Sequence, residues 1–108
     1  MDRIENIQTL FNDLKGNKKV EAFLRFSSQF KAENVLDEKV KNLIHIALAV
    51  CCQCDLCIAF HIQSAVENGS TKEEILDAAM QAVLMGGGPK LMYMNVVNEE
   101  LKYYFSDD

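Results

Sequence analysis

The sequence has no excess of basic residues, no long apolar run and no cysteine outside one short segment. Eleven Lys and Arg residues against sixteen Asp and Glu give a formal net charge of −5, which argues against a nucleic-acid surface because phosphate binding needs clustered cations. The longest purely apolar run, Ile46 to Val50, is far shorter than the roughly 18 to 20 residues that span a bilayer. The N-terminus, MDRIENIQTL, carries acid early and lacks the apolar segment of a signal peptide. We therefore expect a soluble, cytoplasmic protein with no nucleic-acid or membrane partner.

A strand pattern is also missing. No segment shows a convincing alternation of apolar and polar residues with the period of two that a half-buried strand requires, whereas apolar residues recur three and four positions apart almost throughout. Breaks at Lys15-Gly16-Asn17, before Asn34, at Asn68-Gly69 and at 86–89 divide these segments. At 108 residues the chain has the length of one domain. The sequence predicts a single all-α domain over residues 1–108, with about six helices.

Two helix starts carry clear signals. Thr71 with Glu74 three residues later forms a capping-box pattern, and Pro89 suits the first turn of a last helix that reaches about Phe105. The glycines at 86–88 lack the preceding strand and the Lys-Ser/Thr ending of a phosphate-binding loop. We interpret them as a tight turn between two helices, and no cofactor is expected.

Several predicted helices are apolar on more than one face, the fourth and fifth above all. A domain of this size cannot cover so much apolar surface by itself, which favours a homo-oligomer. A densely packed monomer is the alternative. The residues concerned are Leu56, Ile58, Phe60, Ile62, Ala65, Val66, Ile75, Met80, Val83, Leu84 and Met85.

The segment CCQCDLCIAFH, residues 51–61, contains every cysteine of the chain. In a cytoplasmic protein such a cluster indicates catalysis or metal binding more often than a structural disulfide framework. On a continuous helix with roughly 100° per residue, Cys54, Cys57 and His61 share one face. The C-x-x-C spacing allows a disulfide to close, and His61 lies one turn beyond Cys57. A thiolate is the nucleophilic form of cysteine, and a nearby imidazole or a helix N-terminus promotes it. The segment therefore has the parts of a dithiol redox centre.

The other polar residues near this segment have simpler interpretations. Cys51 shares the reactive face only if the helix continues without a turn, and we expect Cys51 and Cys52 to act as small core residues. His45 falls opposite Cys54 on the same continuous helix, which predicts a packing or interface role. A zinc site of Cys51, Cys54, Cys57 and His61 is disfavoured, because a straight helix spreads such ligands along roughly 15 Å.

Three blocks in order, KVKNLIHIALAVCCQCDLCIAFH, ENGSTKEEILDA and MGGGP, resemble the carboxymuconolactone decarboxylase family in its alkyl hydroperoxidase D-like branch. The resemblance covers about residues 20–95. It implies an all-α bundle that assembles as a homo-trimer or homo-hexamer and has peroxiredoxin-like antioxidant activity. The implied substrate is a hydroperoxide or a small disulfide, and the implied reductant is a dithiol or a protein. By the same resemblance Cys57 attacks the oxidant, Cys54 resolves the product and meets the reductant, and His61 belongs to a proton relay.

The sequence departs from this family pattern at two positions. Asn42 stands where the family usually has a glutamate, and Leu56 stands where its best-known member has a histidine. Glu38, one turn before Asn42, is a candidate substitute. An amide cannot accept and return a proton as a carboxylate does, so we expect slow peroxidase activity and better preserved thiol–disulfide exchange. Two alternatives remain open, a decarboxylase or isomerase of a small lactone and a non-enzymatic redox-sensing oligomer.

Overall fold

The structure is a computed structural model that describes residues 2–32 and 35–106. These residues form six α-helices and no strand, which confirms the predicted all-α class. The expected break before Asn34 lies outside the described residues. The helices are α1 (Arg3–Asp13), α2 (Lys18–Ala32), α3 (Glu38–Cys51), α4 (Asp55–Glu67), α5 (Lys72–Gly86) and α6 (Gly88–Tyr104).

The core lies between α3, α4, α5 and α6, which pack against one another. Each helix buries one apolar face, and the side chains at the centre of the bundle are fully excluded from solvent, among them Ile46, Ile58, Ile62, Ile75, Val97 and Leu101. Helix α1 packs on α4 from outside. It is tied to α6 by Arg3, whose guanidinium lies 2.9 Å from Glu99 and 3.1 Å from Glu100.

Side chains cap the N-terminal ends of five of the described helices, α1 to α5. Asp37 accepts a hydrogen bond from the backbone N–H of Val40 at the start of α3. The predicted capping box is confirmed at α5, since the Thr71 hydroxyl accepts from the Glu74 N–H at 3.1 Å and the Glu74 carboxylate accepts from the Thr71 N–H at 2.8 Å. Cys54 caps α4 through its sulfur. These caps satisfy N–H groups that have no partner within a helix.

Helix α2 differs from the others because it packs weakly on the rest of the described structure. Every side chain from Glu21 to Lys31 is exposed. Phe23, Phe26 and Phe30 stack along one side of the helix, with ring centroids 6.3 Å and 5.0 Å apart. They are 64%, 59% and 57% exposed. An aromatic stripe that is left in water is unusual for a monomer.

The sequence left open whether the helix continues through residue 53 or turns before the cysteine pair, and the structure has the turn. Helix α3 ends at Cys51, a turn follows, and α4 begins at Asp55. Gln53 takes a positive φ of 53° in this turn, and its side-chain oxygen accepts a hydrogen bond of 2.7 Å from Nζ of Lys90. Glutamine has no intrinsic preference for this left-handed backbone, so the contact with α6 helps to hold the turn.

Candidate thiol site at the start of helix 4

Cys54 and Cys57 form a disulfide at the start of α4, with their Cα atoms 5.2 Å apart. Cys54 is the N-cap residue, and its sulfur accepts a hydrogen bond of 3.2 Å from the Cys57 N–H. Cys57 is exposed and Cys54 is half-buried. The positive end of the helix dipole favours negative charge at such a position. When the pair is reduced, the fold therefore places both sulfurs where a thiolate is stabilised.

His61 lies one turn after Cys57 on α4 and is half-buried. The pKa of His61 is lowered from 6.5 to about 4, chiefly by burial and to a smaller extent by the nearby His45. The ring of Phe60 meets the His61 ring edge-on, with centroids 5.2 Å apart. His61 is therefore a neutral imidazole at pH 7, which is the form that can accept a proton.

His45 lies against His61, on the side of α3 that faces α4. Its ring centroid lies 4.9 Å from that of His61, at a tilt of 52°. The prediction of an opposite face assumed one continuous helix, whereas the turn before Cys54 reverses the chain and packs α3 against α4. The sequence could have indicated this contact. Asn42 occupies the position of the family's glutamate, and His45, three residues later, shares its helix face.

A cavity of about 430 Å³ opens between α2, α3 and α4, next to the two histidines. Asn42 lines it, and this residue is only 6% exposed. Within the described residues, the Nδ2 group of Asn42 has no hydrogen-bond acceptor. Glu38, the candidate substitute for the family glutamate, lines the same cavity as the histidines. The aromatic walls are Phe30 and Phe60.

The remaining cysteines have separate environments. Cys51 is a half-buried free thiol that packs against the core, as expected. Cys52 is an exposed free thiol at the end of α3, and the expectation of a core position is wrong for it, because the turn directs this residue outwards. Across 2–32 and 35–106, no group of three or more His, Cys, Asp or Glu side chains is placed to hold a metal ion. In the same ranges, no helix has the length and apolarity to cross a membrane.

The carboxymuconolactone decarboxylase family model matches residues 20–97 of the chain. The chain belongs to this family. Two uncharacterised relatives are similar in sequence: protein 4 of the cox locus of Paracoccus denitrificans is 36% identical over 75 residues, which cover 69% of this chain and 68% of the relative. A protein of Cupriavidus necator is 35% identical over 94 residues, which cover 84% and 82%.

Solved structures of the carboxymuconolactone decarboxylase family share the fold. The apo form of a family member from Legionella pneumophila is 38% identical, with a TM-score of 0.81 and coverage of 94% of this chain and 93% of that one. A member from Thermotoga maritima is described as having a possible part in the antioxidative response. It is 24% identical with a TM-score of 0.83 and coverage of 94% and 88%, and this likeness concerns the fold alone.

Proposed function

We propose that the protein is a thiol-dependent oxidoreductase whose Cys54–Cys57 dithiol reduces hydroperoxides or small disulfides. The observation that carries this proposal is the closed pair at the N-terminus of α4. The pair can store two electrons as a dithiol and release them as a disulfide. In the reducing cytoplasm, where we propose that the protein acts, a dithiol or a protein reductant can restore it.

With a hydroperoxide ROOH, the Cys57 thiol gives its proton to His61, and the thiolate attacks one peroxide oxygen. The O–O bond breaks, the alkoxide RO⁻ takes the proton back as ROH, and Cys57 becomes a sulfenic acid. The thiol of Cys54 then attacks this sulfur, and the disulfide forms with release of water. An external dithiol returns two electrons and two protons. The exposure of Cys57 supports its role as the attacking residue.

With a disulfide substrate, the Cys57 thiolate attacks one sulfur and releases the other half as a thiolate. The mixed disulfide is then resolved by Cys54, which releases the second half of the substrate as a thiol. This route depends less on proton transfer to the leaving group, because a leaving thiolate is a weaker base than a leaving alkoxide. It therefore tolerates the amide at position 42 better than peroxide reduction does.

We also propose that the protein works as a homo-trimer or homo-hexamer. The aromatic stripe of α2, formed by Phe23, Phe26 and Phe30, is more than half exposed, and Leu84 and Met85 at the end of α5 are 77% and 83% exposed. A second copy of the chain would cover these surfaces. Sedimentation velocity tests this proposal: a species of three or six chains supports it, and a monomer at micromolar concentration contradicts it.

Peptide mass mapping tests the redox function. The reduced protein is exposed briefly to one equivalent of cumene hydroperoxide or of hydroxyethyl disulfide, and free thiols are then alkylated. We expect a selective Cys54–Cys57 disulfide with both oxidants, formed faster with the disulfide substrate. Cys57→Ser should abolish turnover, whereas Cys52→Ser is the matched control because it removes an exposed thiol outside the pair.

Oxidation spread evenly over all four cysteines would contradict the redox function, as would unchanged turnover in Cys57→Ser. A disulfide that forms while no reductant supports turnover would favour the redox-sensing alternative. Turnover of a small lactone that survives complete alkylation would favour a decarboxylase or isomerase.

A further inference from the structure

The cavity of about 430 Å³ between α2, α3 and α4 has the dimensions of a small-molecule site. Such sites are concave, mostly apolar and of roughly 300–1,000 Å³, with a few polar groups that orient the ligand. Phe30 of α2 and Phe60 of α4 line the cavity, and both aromatic side chains are exposed. A ligand ring packed against them would remove apolar surface from water.

Asn42 supplies a polar group in the cavity wall that has no partner in the protein. The residue is only 6% exposed, and its Nδ2 group finds no hydrogen-bond acceptor among residues 2–32 and 35–106. Nearly all buried polar groups in folded proteins are hydrogen-bonded, and a buried donor without an acceptor lowers stability. An acceptor oxygen brought by a ligand would remove that cost.

Helix α2 is the wall of the cavity that can give way to a ligand. The Nδ2 group of Asn42 is shielded from solvent, so an acceptor reaches it only when a wall shifts. Helices α3 and α4 pack extensively on each other, whereas α2 packs weakly on the rest of the described structure. Nζ of Lys41 holds α2 in place through a hydrogen bond of 2.9 Å to the carbonyl of Phe30. A small outward movement of α2 therefore opens the amide and leaves the core unchanged.

The charges around the cavity favour a neutral ligand. Glu38 lines the cavity one helical turn before Asn42, and residues four apart are neighbours on a helix, so its carboxylate would repel an anion bound at the amide. Of the two lysines in the wall, Lys31 is exposed and Lys41 already donates to a backbone carbonyl of α2. Burial also disfavours charge here, as the pKa of His61, lowered to about 4 chiefly by burial, illustrates.

We propose that this cavity is a binding site for a small neutral aromatic compound with an acceptor oxygen. The ring packs against Phe30 and Phe60, and the oxygen accepts a hydrogen bond from Nδ2 of Asn42. The inference goes beyond the proposed redox function, because binding of this kind requires neither the dithiol nor an oxidant.

Saturation-transfer-difference NMR tests the proposal on the oxidised protein, with the Cys54–Cys57 disulfide closed. Three probes share one aromatic ring: acetophenone carries a neutral carbonyl, ethylbenzene lacks the oxygen, and benzoate carries a negative charge. The variant Asn42→Leu removes the donor and keeps a side chain of similar length. The control Ser64→Ala changes another residue of the cavity wall and keeps the donor.

We expect the wild type to bind acetophenone about tenfold more tightly than ethylbenzene, as one hydrogen bond to an otherwise unmet donor would give. Benzoate should bind more weakly than acetophenone. Asn42→Leu should abolish the preference for acetophenone over ethylbenzene, and Ser64→Ala should retain it. A leucine that narrows the cavity affects both probes, so the ratio of the two affinities reports the hydrogen bond. If Asn42→Leu does not fold or binds neither probe, Asn42→Asp, which replaces the donor by an acceptor, is measured instead with the same expectation.

Equal affinities of the wild type for acetophenone and ethylbenzene would overturn the inference, as would a preference that persists in the Asn42 variant. Tightest binding by benzoate would also overturn it, since the cavity would then be an anion site. Binding of none of the probes would do the same, and this result is expected if a second copy of the chain covers the cavity. Because the disulfide stays closed and no electrons are transferred, peptide mapping of the cysteines decides the redox function separately, and either proposal can fail while the other stands.

Discussion

Gly87, in the turn between α5 and α6, gives the sharpest stability prediction. Its φ of 72° and ψ of −148° fall in a region that is essentially restricted to glycine and costs other residues about 1–3 kcal/mol. A Cβ at Gly87 would meet no atom within 4 Å, and the same holds at Gly88. Gly88 is the first residue of α6 and lies outside the positive-φ region. The two sites therefore differ in backbone conformation and not in space.

We expect Gly87→Ala to lower the free energy of unfolding by about 1–3 kcal/mol. Gly88→Ala should be neutral or stabilise the protein by up to about 1 kcal/mol, because alanine suits a helix better than glycine. Urea denaturation followed by far-ultraviolet circular dichroism measures both variants. All samples must have the same protein concentration, since oligomerisation makes apparent stability depend on concentration.

Equal unfolding free energies for the two variants would refute this reasoning, because they would mean that the backbone of Gly87 carries no special cost.

The turn between α5 and α6 also matters for the thiol site. It leads into Lys90, whose ammonium group holds Gln53 directly before the disulfide. We therefore expect Gly87→Ala to loosen the turn before α4 as well.

Three further predictions concern individual contacts. Lys90→Met should speed amide hydrogen exchange around Gln53 while changing global stability by less than about 1 kcal/mol, as for other surface contacts; unchanged exchange would show that Lys90 does not hold the turn. The pKa of Glu74 is lowered, chiefly by the N–H of Thr71, so its charge stabilises the fold above the unfolded value of 4.5 and this stabilisation is lost as the pH falls. Glu74→Gln should therefore be less stable than the wild type at pH 7, with a difference that disappears in acid; a constant difference in urea denaturation would contradict this. The unfolded state takes up a proton at His61 between pH 6.5 and about 4 and the folded state does not, so stability falls as the pH falls through this window. His61→Gln should flatten that fall, and an equally steep fall would contradict the lowered pKa.

Local features of the sequence sufficed for much of the fold. Apolar spacing of three and four residues predicted the helices, because a helix that buries one face needs that period. The capping box at Thr71 and the proline at the start of α6 marked helix starts through local hydrogen bonding and a restricted φ. The C-x-x-C spacing and the three family blocks pointed to the Cys54–Cys57 pair, and the family match over residues 20–97 agrees with them.

The composition of the site beyond that pair was decided by tertiary structure. Gln53 has no preference for the left-handed conformation of the turn that separates α3 from α4. Its hydrogen-bond partner Lys90 lies 37 residues further along the chain. Once the chain turns there, α3 packs against α4, and His45 meets His61 instead of facing away from the site. The same packing buries the amide of Asn42 at the cavity and brings Glu38 to its wall. A residue's angle on its own helix follows from local spacing, but which residue faces it across the next helix depends on a turn that distant contacts stabilise.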